Sequence, residues 1–133
     1  MFVPRRPVPP ESRNRLRELL RSTNVLIHRM SAGVAMEDPQ MVLTAAEQVD
    51  IRSVPNALRG RQAQFHLDSA WAHVRLVEDP FALIHLLDAE RVASQLVHGN
   101  PTAHGLIHDL LSRERRGRVP GLRSLAQRAG ALA

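Results

Sequence analysis

The chain has 133 residues, 44% of them hydrophobic but only 3% aromatic, with no cysteine and a net charge of +5. That length supports one domain around one core, and the missing cysteine excludes disulfides, thiolate nucleophiles and cysteine metal sites. A core made of Leu, Val, Ile and Ala favours helices, because strands draw on β-branched and aromatic side chains.

All eighteen basic residues are Arg and none is Lys, which fits codon bias in a GC-rich genome and leaves no lysine amine for acetylation. Residues 1–33 carry seven Arg against Glu11 and Glu18, residues 34–112 five Arg against ten acids, and residues 113–133 six Arg against Glu114, so the ends are each +5 and the middle is −5. Basic ends of this kind suit phosphate, or fold back onto an acidic middle or an acidic partner. The opening MFVPRRPVPP has no apolar signal core, and the longest apolar run, FALIHLL, is too short to cross a bilayer. The expected location is the cytoplasm, with no membrane partner.

In chain order, residues 1–11 read as an extended Pro/Arg-rich arm and residues 12–133 as a single helical domain. From Ser12, the residues Leu16, Leu19, Leu20, Leu26, Ile27 and Met30 recur at helical spacing and predict one buried stripe. Arg13, Arg17 and Arg21 lie off it on a solvated face. Helix starts are then marked by a small polar residue at or just before proline: Asp38-Pro39, Ser53-Val54-Pro55, Asp79-Pro80 and Asn100-Pro101. The polar side chain caps free N–H groups, and proline fits the first turn because its missing N–H costs nothing there. The helices are expected at about 12–31, 39–52, 55–77, 80–98, 102–115 and 121–130. Together they form an all-α, compact bundle of five or six helices.

Within these, Val42, Ala45, Ala46 and Val49 should face the core, as should Leu58, Leu67, Ala70, Trp71 and Val74, with Trp71 as an anchor. A break is expected near Asp88, followed by a segment carrying Val92 and Leu96 that Gly99 terminates. No internal repeat and no alternating strand pattern is visible.

Few residues point to chemistry. His104 and His108 stand at i, i+4 and are candidate metal ligands, but a hydrolytic zinc motif places Glu after the first histidine, and Gly105 is there. His66 and His73 read as ordinary surface residues beside Trp71. Glu37-Asp38 and Glu78-Asp79 precede helices, where capping and the helix dipole account for them. No phosphate-binding glycine loop and no catalytic triad is present, so neither an enzymatic role nor a cofactor is expected. Two segments suit nucleic acid: RERRGR, with Arg113, Arg115, Arg116 and Arg118, and LTAAEQVDIRSVPNALRGR, which reads as helix, short turn and helix with Asn56, Arg59 and Arg61 available to a groove.

The segment LIHDLLSRERRGRVPGLRS resembles a stretch of Fic-family proteins, in which a helix reading I/L-x-x-(L/I)-H-x-x-L precedes a loop and P-G-x-R. The matching residues are Ile107, His108, Leu111, Pro120, Gly121 and Arg123. The early helix, the Asp38-Pro39 loop and the helix around Glu47 to Ser53 follow a similar order to the N-terminal helical region of that family. The resemblance implies a helical module without adenylyl-transfer activity, because the H-P-F-x-x-G-N-G-R loop is missing and Ser53 is followed by Ala57 and Leu58 where the inhibitory S-x-x-x-E-G helix needs Glu and Gly. It therefore supplies no catalytic residue.

The expected function is a non-enzymatic helical interaction or regulatory module that binds another macromolecule, a protein partner or a second copy, through its basic ends. The alternative is a DNA-binding regulator or antitoxin-like protein using Arg59, Arg61, Arg123 and the cluster at 113–118; a metal-dependent enzyme using His104 and His108 is the third. The terminal AGALA also resembles tails read by bacterial unfolding proteases.

Overall fold

The computed structural model describes residues 9–114 and 119–131, which fold into an all-α bundle. Seven α-helices run α1 Pro10–Ala35, α2 Pro39–Glu47, α3 Arg59–Arg75, α4 Asp79–Val92, α5 Ser94–His98, α6 Pro101–Arg113 and α7 Leu122–Arg128, with no strand among the described residues. Two 3-10 turns, Ile51–Ser53 and Asn56–Leu58, link α2 to α3. None of the described helices is long and apolar enough to cross a membrane.

Proline and acid signals set several of the starts. Asp38 accepts a hydrogen bond from the Met41 N–H (3.1 Å) and Asn100 from the Ala103 N–H (3.0 Å), each followed by proline in the first turn. At the third site the cap is Asp50, which accepts from the Arg52 N–H (3.2 Å), while the Ser53 hydroxyl donates to the Asp50 carbonyl (2.7 Å). The helix expected over 55–77 therefore begins as a 3-10 turn and becomes α-helical only at Arg59. Asp79 is also not a cap, because its carboxylate is taken by Arg113.

The packing centres on α3, with eleven of its seventeen residues buried, so it has no single apolar stripe. It touches α1, α2, α4, α5 and α6, and its partnership with α4 is the most extensive in the fold. Met30, Val42, Leu67, Leu86, Ile107, Leu110, Leu122 and Leu125 fill the centre around it. Its buried polar groups are satisfied: Gln62 Nε2 donates to the Val54 carbonyl (2.8 Å), Ser69 Oγ to the Phe65 carbonyl (2.8 Å), and Asp68 accepts from Ser31 Oγ (3.0 Å) and Gln64 Nε2 (2.7 Å). Asp68 has no cationic partner among the described residues, and burial raises its carboxyl above the ordinary value despite those two donors.

The same turn closes two helical hairpins. After α1, Glu37 sits in the left-handed region (φ 54°), and after α3 Val77 does so (φ 57°). In both, the next N–H reaches back into the last helical turn, Asp38 to Gly33 and Glu78 to His73, each at 2.8 Å. The turn recurs 40 residues on, whereas the two Glu-Asp-Pro triplets are 41 apart, so the triplets stand one residue out of register with it. Close approach of α1 and α2 requires Gly33, where an added Cβ would stand 2.7 Å from Val42 Cγ2.

Three expectations change. The stripe of α1 is buried only from Thr23 onward; Leu16 and Leu19 are 48% and 55% exposed because the first turns of α1 extend past the core. α4 does not break at Asp88: Ala82, Leu83, Leu86 and Ala89 form a continuous buried stripe that carries it to Val92, and the break falls at Ala93. At the C-terminus, Ala129 and Ala131 are buried, so the described part of the AGALA tail is tucked in; Leu132 and Ala133 lie outside the described residues, as do residues 1–8 of the arm.

Candidate binding cleft

Of the residues singled out in the sequence, Asn56 and Arg59 come together. They line an open cleft of about 540 Å³ with Ile51, Arg52, Val54, Gln62, His66, Arg91 and Val92. A trough of about 500 Å³ continues from it past the α4 break to Leu96, sharing Arg59, Arg91 and Val92. The walls come from the 3-10 linker, the start of α3 and the end of α4. The Gln62 bond to the Val54 carbonyl fixes the linker against α3 at the base of the cleft.

The electrostatics of this cleft are one-sided. Arg52 and Arg59 have no ion-pair partner among the described residues. Arg91 meets only Asp88, at 3.4 Å and one turn away, with its own side chain 74% exposed, a pairing that contributes little in water. No acidic residue lines the cleft among the described residues. Three arginines thus line one concavity, and the only carboxylate paired with any of them among the described residues is Asp88 beside Arg91, which favours a bound anion.

Below the cleft lies a column of rings between α3 and α4. Phe81, His73, His85, His66 and Phe65 follow one another at centroid spacings of 5.5, 5.4, 5.3 and 5.1 Å. His66 Nδ1 and His85 Nδ1 are 3.0 Å apart. A hydrogen bond between them requires one Nδ1 to donate and the other to accept, so the two rings carry opposite tautomers when neutral. Burial lowers the pKa of His66, with Asp88 opposing and Arg91 adding to the shift. Burial first, and then the His66 and His73 charges, lower His85 to about 4, against an opposing effect of Asp88. His66 and His73 are therefore packed residues rather than surface ones: the i, i+7 spacing on α3 faces α4, and His85, which the sequence did not draw out, completes the set.

The remaining candidates lie elsewhere. Arg61 donates to Asn24 Oδ1 on α1, away from the cleft. Arg113 bridges α6 to the α3–α4 turn, donating to both Asp79 oxygens (2.6 and 3.2 Å) and to the Val74 carbonyl (3.1 Å). Arg123 pairs with Glu114 at 3.2 Å. Arg115, Arg116 and Arg118 lie outside the described residues. The segment 43–61 does not form two helices about a short turn, because residues 48–58 and two 3-10 turns separate α2 from α3, and Asn56 belongs to the linker. His104 Nε2 is bonded to the His98 carbonyl (2.6 Å), His108 is exposed, and no group of three or more possible metal-binding side chains occurs among the described residues. His98 in turn holds Glu90 (2.7 Å), whose carboxylate takes a two-point grip from Arg128 at 2.7 and 3.0 Å.

Sequence reading missed Arg52, Gln62, His66 and Arg91 as lining residues. Arg52 shares the linker with Asn56 and was within reach; Arg91 is brought in from 32 residues beyond Arg59 by the packing of α4 on α3, and nothing local marks it. No family model, curated protein or solved structure matches this chain.

Proposed function

We propose that this protein is a non-enzymatic interaction module that holds an acidic segment of a protein partner in the cleft between the 3-10 linker, α3 and α4. One observation carries the reading: Arg52, Arg59 and Arg91, from three separate parts of the chain, converge on a concavity lined by no acid among the described residues. Gathering like charges costs stability in the free protein, and an arriving anion offsets that cost. The half-buried side chains of Ile51 and Val92 give the same ligand an apolar surface to bury.

The cleft lies within the segment of negative net charge, so binding there depends on how α4 is folded against the linker. Titration with a decaglutamate peptide at low ionic strength, followed by amide chemical shifts, tests the reading. The expected changes cluster at Arg52, Asn56, Arg59, Gln62 and Arg91 and weaken as salt is added. Changes confined to α1 or α7, or none, would remove the cleft from the function.

A further inference from the structure

Resting on that reading of the cleft, we infer that its specific ligand is a phosphorylated side chain within an extended segment of the partner. Arg52, Arg59 and Arg91 take the phosphate, while Val92 and Leu96 take the apolar residues beside it.

The count of charges decides between carboxylate and phosphate. One carboxylate offers two oxygens and a single charge, which satisfies one guanidinium fork. Three arginines line the cleft, none of them held by a strong carboxylate partner among the described residues. A phosphate monoester brings three terminal oxygens and close to two charges at neutral pH, so it can bond several arginines at one point. Neighbouring neutral groups can add donors: the Asn56 amide lines the same wall.

The shape favours a chain over a small phosphorylated molecule. The cleft does not end at the arginines, because the trough runs on along Ala93, Ser94 and Gln95 to Leu96. Arg59, Arg91 and Val92 belong to both parts, so a ligand seated on the arginines has its continuation in the trough. Single-stranded nucleic acid fits less well. It relies on exposed aromatic platforms for its bases, whereas no described Phe or Trp lines either part.

The test uses a degenerate peptide library with a fixed central phosphoserine, compared with the same library carrying serine or glutamate at that position. Binding of the fluorescein-labelled peptides to the full-length protein is measured by anisotropy, with inorganic phosphate and a thymidine oligonucleotide as competitors. Phosphoserine peptides are expected to bind at least about tenfold more tightly than either control, and Arg59→Gln or Arg91→Gln each to remove roughly a further tenfold. Arg21→Gln, on the exposed face of α1, should change nothing, and circular dichroism checks that every variant is folded. Equal binding of the glutamate library would overturn the phosphate inference while leaving the acidic-segment reading intact. Failure of all three libraries against a protein that still binds decaglutamate at the cleft would do the same. Tighter binding of the oligonucleotide than of phosphopeptide, lost in Arg59→Gln, would overturn both.

Discussion

Acidification should loosen the α3–α4 pair before it touches the ion pairs of the surface. His85 titrates near 4 in the folded protein against an ordinary value of 6.5, and His66 is shifted in the same direction. Because both folded values are depressed, the unfolded chain takes up protons first as the pH falls. The stabilising contribution is complete above about pH 6.5 and is lost progressively toward about pH 4. At 1.36 kcal/mol per pH unit the His85 shift sets a ceiling of about 3 kcal/mol, and residual solvent contact reduces it to roughly 2 kcal/mol, a large share of a typical domain's stability. Part of this arises because a second proton in the His66–His85 hydrogen bond removes its only acceptor. Asp68 acts oppositely, since its raised pKa makes the folded state gain protons, and therefore stability, as the pH falls. Glu90, held below its ordinary value first by the Arg128 hydrogen bond, loses its contribution only in more acidic solution. Urea unfolding at several pH values between about 7 and 4.5, on the native chain and on His85→Phe, separates these effects. The native protein should lose roughly 2 kcal/mol over that range and the variant less than half as much. Parallel profiles for the two proteins would refute the assignment of the acid sensitivity to the ring column.

Three further changes probe the joints of the fold. Arg113→Met removes the bridge to Asp79 and the Val74 carbonyl, and thermal unfolding should show a loss of about 1–2 kcal/mol, whereas peptide binding at the cleft should be unaffected. Val77→Gly relieves a β-branched residue held at φ 57° and 66% exposed, so urea denaturation should register a gain of about 1 kcal/mol; a loss would mean that the Val77 side chain contributes packing. Gly33→Ala forces a Cβ against Val42 Cγ2 and the Val42 backbone nitrogen (3.1 Å), and calorimetry should find about 1–3 kcal/mol of destabilisation with α1 and α2 pushed apart.

Much of the helical framework is written locally. Asp38-Pro39 and Asn100-Pro101 start helices because a carboxylate or amide beside proline satisfies orphan N–H groups without help from distant residues. The low aromatic content and the 3.6-residue spacing of Leu, Val and Ala likewise determined the all-α class. The same logic failed where a signal had two possible uses. Asp79-Pro80 has the form of a cap, yet Arg113 approaches from α6 and takes the carboxylate. Leu16 and Leu19 have the spacing of a buried stripe, but burial requires a second surface, and the core begins only at Thr23.

The site itself required the tertiary structure. Charge summed along the chain places the positive ends outside and the acidic segment between them, but the fold consumes many of those acids: Asp38 caps α2 and Asp50 a 3-10 turn, Asp79 and Glu90 hold Arg113 and Arg128, and Glu37 meets Arg75. Arg52, Arg59 and Arg91 are left to share one concavity inside that nominally acidic stretch. His66, His73 and His85 became a column for the same reason, since α3 and α4 are laid side by side by a turn whose geometry depends on Val77 in the left-handed region. Sequence by itself thus determined which segments are helical and where several begin, because those choices depend on neighbours within one turn. Tertiary structure decided which charges converge on the cleft and which rings meet, because both depend on residues that the chain brings together only by folding.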